Sequence, residues 1–276
     1  MNCKKTIFLN FYSIMIVSVC LFCFSGCAVY DGITNYFNST NHFLTFKKDH
    51  RIRYESGAEK FAAAVSSDLS SAVKEIESRQ YSAFPDKITI YVCKSQESFK
   101  EMTGRDVSAM FYKKSVFLSP KLLDKPDTVK LYIAHELSHL HLYQHVGDYA
   151  YLCIPSWFAE GLAAFVSNGG GAEKVSDAEV KEFIRSGNHF QPIEKAGIGD
   201  LFVPKYASYW GISHQHKHHM FYRQCMLFVS FLANESPEKF KKFLITLENG
   251  KEFADAFRSS LGADAMTKWD EFKNQT

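Results

Sequence analysis

The chain has 276 residues, 46% of them hydrophobic and 15% aromatic, with 32 Lys+Arg against 30 Asp+Glu and seven cysteines. That is an ordinary globular composition with enough chain for one sizeable core, which excludes disorder as the main state. Lys4 and Lys5 are the only charged side chains in the first 26 residues, so the remainder is formally neutral and carries no electrostatic footprint for nucleic acid. Cys3, Cys20, Cys23 and Cys27 fall in or at the end of that segment, and the three cysteines left, Cys93, Cys153 and Cys225, exclude a disulfide framework and allow at most one bridge.

Residues 1–6 are short and basic, and residues 7–24 are almost wholly apolar. A charged start, an apolar run and small residues at its end make an export signal. Phe24-Ser25-Gly26-Cys27 resembles a bacterial lipobox, where small residues precede a cysteine that is lipidated and becomes the mature N-terminus; Phe24 stands where Leu is usual. An uncleaved anchor helix is one alternative, because about 18 apolar residues can span a bilayer. An ordinary cleaved signal is the other. All three place the rest of the chain outside the cytoplasm, in the cell envelope. By the same resemblance Ala28, in place of Asp after the cysteine, points to the outer membrane of a Gram-negative cell. Residues 27–41, rich in Asn, Ser and Thr, read as a tether, and residues 42–276 as one domain.

Strand-like runs follow at 42–46 and 51–55. Residues 57–79 carry Phe61, Val65, Leu69, Val73 and Ile76 at three- and four-residue spacing, which predicts an amphipathic helix. Residues 86–93 alternate and are β-branched, a strand; 95–103 read as a short helix capped by Ser95; 115–119 (SVFLS) form a second strand closed by Pro120. A long helix is expected over 127–146, ended by Gly147, and another over 156–167. The run Asn168-Gly169-Gly170-Gly171 lacks both the preceding strand and the following Gly-Lys-Ser/Thr of a phosphate loop. His214, His216, His218 and His219 read as a solvated loop able to take up metal adventitiously, and beyond it the chain is helical, with breaks at Pro237 and Gly250. The elements together predict an α+β domain.

The informative residues are His135-Glu136-Leu137-Ser138-His139, inside a helix. Histidines four apart sit about 40° from each other one turn along, so both imidazoles can reach one ion. Glu136 can approach the position where an ion-bound water would sit. Two residues compete for third ligand. His145 follows His139 by six residues, but Leu142 stands where a helix-breaking glycine would be needed, and a continuous helix carries His145 through about 240° and roughly 9 Å along the axis. His141 lies on the far side for the same reason; it shares a face with His145, and both read as packed or solvated histidines. Glu160 is the other candidate, on a helix opened by Pro155 and Ser156, with Gly161 beside it allowing close approach of a neighbouring helix.

HELSH followed by PSWFAEGLAAF resembles the gluzincin zinc peptidases, in particular the peptidase-MA-like family found among bacterial lipoproteins. The resemblance implies zinc held by His135, His139 and Glu160, one ion per chain, with Glu136 as general base. It implies a zincin-like fold: a small mixed sheet over the active-site helix and a helical C-terminal lobe, with zinc between them. The Tyr-x-Gln at 222–224 is similar to one in that family and makes Tyr222 the candidate oxyanion donor, with Tyr209 and His219 as alternatives. Ala164 stands where thermolysin-like gluzincins carry an acid, leaving open what orients the two histidines. SVFLS is expected to hold substrate backbone as an added strand.

The function these parts imply is a membrane-tethered endopeptidase or aminopeptidase-like hydrolase acting on a peptide or protein substrate. Glu136 would accept a proton from an activated water and return it to the leaving amine. The competing reading is a non-catalytic envelope lipoprotein that uses the scaffold for binding or assembly.

Overall fold

The computed structural model describes residues 38–196 and 213–276. The export segment, Cys27, residues 27–37 and Tyr209 lie outside the described residues. Among those described, no helix is long and apolar enough to cross a membrane. Asn38 and Thr40, at the end of the expected tether, already hydrogen-bond to the body: the Asn38 amide donates to the Glu101 carbonyl at 2.7 Å, and Thr40 accepts from the Tyr91 hydroxyl at 3.3 Å.

The architecture is mixed α+β. Its elements are β1 (Leu44–Thr45), β2 (Ile52–Tyr54), α1 (Glu59–Gln80), β3 (Ile90–Val92), α2 (Gln96–Thr103), β4 (Ala109–Tyr112) and β5 (Ser115–Leu118). They are followed by α3 (Val129–Cys153), α4 (Ser156–Val166), α5 (Asp177–Arg185), α6 (His214–Glu235), α7 (Pro237–Glu248), α8 (Phe253–Leu261) and α9 (Ala265–Asn274). The sheet order is β1-β2-β3-β5-β4; β2, β3 and β5 run parallel, and β1 and β4 pair antiparallel at the two edges. Register aligns Ile52 with Ile90 and Val92 with Leu118, so these side chains share one face and enter the main core with α1 and α3. The alternate residues Tyr91 and Phe117 stack on the other face at 4.7 Å and close a smaller core with Phe43, Phe99 and Met102.

Two expectations about this sheet change. SVFLS is β5, which pairs with β3 on one side and β4 on the other, so it has no free edge to offer an added strand. The edge strand on that side of the sheet is β4, which the sequence hid because its two-residue turn is Lys113-Lys114. Both lysines have positive φ (50° and 61°), the conformation such turns require, without the Asn-Gly that usually signals it. The helix α5 was also concealed by its polar surroundings, although Ser176 and Glu179 form a capping box at its start.

α3 runs through the middle of the molecule, and every residue from Ile133 to Leu142 is buried. At Gly147 the backbone leaves the helical region (φ 79°, ψ 176°), so the expected stop is present, and a short helical stretch resumes to Cys153. α4 is fixed from behind by aromatic packing. Trp157 and Phe158 meet Phe228, Phe243, Phe253 and Phe257 with ring centroids 5.1–6.3 Å apart, and the Trp157 indole donates to the Ile193 carbonyl at 2.7 Å. Gly161 lets α4 and α6 touch backbone to backbone: a Cβ there would stand 2.7 Å from the Cys225 carbonyl oxygen and 2.8 Å from Val229 Cγ2.

The histidine-rich run is not a loop. Residues 214–219 form the first turns of α6, whose N-terminus is capped by Ser213 accepting from the His216 amide, and His219 is buried. Cys93, Cys153 and Cys225 are all unpaired.

Candidate metal centre

α3 and α4 meet where the two motifs lie. The Nε2 atoms of His135 and His139 are 3.2 Å apart, and Glu160 Oε2 stands 3.3 Å from the first and 3.4 Å from the second. Ligands held at about 2.0–2.1 Å around a tetrahedral ion lie about 3.3 Å from one another. The three donor atoms therefore already have the mutual spacing that one small ion requires. Glu160 Oε2 is also buried without a hydrogen-bond partner, a costly state for a carboxylate oxygen unless a cation joins it. The residues present thus fit a metal ion.

The electrostatics agree with this. Burial pushes the Glu160 carboxyl up, but His139 and His135 beside it outweigh burial and hold it well below the usual carboxylate range. Burial opposes charge on His139 too, and there the Glu160 carboxylate reverses the sign and raises its pKa. The pocket stabilises positive charge.

Glu136, one residue from His135, is buried, and its Oε2 accepts a hydrogen bond from the Phe111 amide of β4 at 2.6 Å. The strand unseen in the sequence thus orients the candidate base. Tyr222, on α6, stacks its ring on His135 with centroids 5.7 Å apart and planes 14° from parallel. His219 is turned toward Glu173, with Nδ1 3.8 Å from its Oε2, and Glu173 also accepts from the Tyr132 hydroxyl at 2.8 Å.

One residue of the candidate site has no signal in the sequence. The Tyr151 hydroxyl lies 3.0 Å from His139 Nδ1, and burial, then Glu160 and Glu136, push its phenol pKa well up, so it stays neutral. When His139 Nε2 faces an ion, Nδ1 carries the proton and donates it to this oxygen, which fixes tautomer and ring orientation. The turn at Gly147 brings Tyr151 back over the helix, and no spacing rule in the sequence foretells that. His135 Nδ1, by contrast, is buried with no hydrogen-bond partner, and the buried Ala164 offers it no acid.

His141 and His145 do not join the trio, as helical rotation predicts. Their Nε2 atoms donate instead to the carbonyls of Ser82 and Ala83, at 3.0 and 3.1 Å.

No protein-family model matches the chain, and no curated protein does.

Tyr151→Phe removes the oxygen that holds His139. Divalent-metal affinity, measured by competition with a chelating dye, is expected to fall about 10–100-fold with the circular dichroism unchanged. An unaltered affinity would remove Tyr151 from the site.

Proposed function

We propose that the chain is a zinc-dependent metallopeptidase of the cell envelope, of gluzincin type with a zincin-like fold, tethered to a membrane by a lipid on Cys27. The observation that carries this reading is the convergence of His135, His139 and Glu160, with donor atoms 3.2–3.4 Å apart and Glu136 on the same helix. Two imidazole nitrogens and one carboxylate oxygen suit zinc among the divalent ions. The likeness of HELSH and WFAEG to the peptidase-MA-like family supports the same choice.

A zinc ion held by these three residues supplies Lewis acidity and lowers the pKa of a water from about 15.7 towards 7. The rest of the chemistry belongs to the chain. Glu136, oriented by the Phe111 amide, takes the proton of the attacking water as its oxygen adds to the peptide carbonyl. It then delivers that proton to the amine nitrogen as the C–N bond breaks. Tyr222, stacked beside His135, is the proposed donor to the carbonyl oxygen as it gains charge. A peptide substrate is proposed to lie along β4 rather than β5. β4 has no second strand partner among the described residues, and its Phe111 amide already meets Glu136. Base and ligand residues are all intact, which favours catalysis over a non-catalytic scaffold.

Glu136→Gln is expected to retain metal while peptidase activity on a peptide library falls by about 10²–10⁴-fold. Undiminished cleavage by the metal-loaded variant would refute the mechanism. For the anchor, the mature protein from a bacterial host is expected in the detergent-rich phase on partitioning, bearing labelled fatty acid that Cys27→Ser lacks. Recovery of the mature protein wholly in the aqueous phase would exclude the lipid.

A further inference from the structure

The back of α3 carries a second set of donors. His141 and His145 sit one turn apart there, with ring centroids 4.6 Å apart. Glu248, the last residue of α7, meets them from the C-terminal lobe, and Ser82, just past the end of α1, lines the remaining side. The Ser82 hydroxyl donates to Glu248 Oε2 at 2.7 Å and lies 3.2 and 3.3 Å from Nε2 of His141 and His145. A nitrogen of each histidine and a carboxylate oxygen of Glu248 lie within 4.8 Å of one another.

The hydrogen bonding leaves this group short of positive charge or protons. Both Nε2 atoms face backbone carbonyls, which only accept, so both carry the ring proton and each Nδ1 of a neutral ring is a lone-pair acceptor. His141 Nδ1 therefore faces Glu248 Oε1, 3.7 Å away, acceptor against acceptor. Both atoms are buried without a hydrogen-bond partner, and their side chains are 0% and 5% exposed. Buried acceptors aimed at each other are an unstable arrangement unless something positive joins them.

We propose that His141, His145 and Glu248 bind a divalent first-row metal ion, forming a structural site that ties α3 to α7 behind the face bearing His135 and His139. Imidazole and carboxylate donors suit such an ion, and zinc is its natural probe. The site does not depend on the proposed peptidase activity and would serve an inert scaffold equally.

Zinc stoichiometry tests it, measured by atomic emission on the full chain after equilibration with buffered free zinc. Wild type is expected to hold two equivalents, Glu248→Gln one, Glu160→Gln one, and the double variant none. His145→Asn, at a half-buried position, repeats the loss if Glu248→Gln fails to fold. His216→Gln/His218→Gln keeps both equivalents if the histidine-rich start of α6 contributes no adventitious ion. A wild type with one equivalent that survives both Glu248→Gln and His145→Asn would overturn the proposal and leave a proton shared between Glu248 and His141. Two equivalents that survive both variants would overturn it as well. One equivalent lost in Glu248→Gln but kept in Glu160→Gln would uphold this site and remove the first.

Discussion

From Ile133 to Leu142 every residue of α3 is buried, and His135, Glu136, His139 and His141 are among them. A buried polar group without a partner costs about 1–3 kcal/mol, more when charged, so a buried stretch with four ionisable side chains must be compensated from outside that stretch. The compensation comes from four separate places. Glu160 arrives on α4 for the first two histidines, the Phe111 amide comes from β4 for Glu136, Tyr151 returns past Gly147 for His139, and the Ser82 carbonyl receives His141. The surrounding elements are arranged about this helix as much by its polar needs as by its apolar ones.

Glu160 is the partner that most depends on packing elsewhere. Its helix is anchored by Trp157 and Phe158 in the aromatic lobe and is pressed against α6 at Gly161, where no side chain would fit. The carboxylate is thereby held against two imidazoles whose Nε2 atoms already face each other, and three lone-pair donors meet in one buried spot. That arrangement favours a cation, and from it the proposed chemistry follows: positive charge at the trio, an oriented carboxylate beside it, and a strand, β4, whose Phe111 amide meets that carboxylate.

Much of this was legible in the sequence because it rests on helical periodicity. The spacing of His135 and His139, the exclusion of His145 by rotation and the α1 core stripe follow from 3.6 residues per turn, and the close approach at Gly161 from its missing side chain. What escaped depends on chain reversals. β4 hides behind a Lys113-Lys114 turn whose left-handed backbone is unusual for lysine. Tyr151 reaches His139 only through the break at Gly147. Glu248 meets His141 through the packing of α7, which no local pattern records. The histidines at 214–219 were misread on composition, although Ser213 stood before them as a helix cap.

Anomalous diffraction at the zinc edge, from crystals of the zinc-equilibrated protein, tests the central claim most directly. A peak is expected about 2.0–2.2 Å from Nε2 of His135, Nε2 of His139 and a carboxylate oxygen of Glu160 together. A map with zinc elsewhere and none between these three atoms would contradict the claim that the buried polar face of α3 is a metal centre.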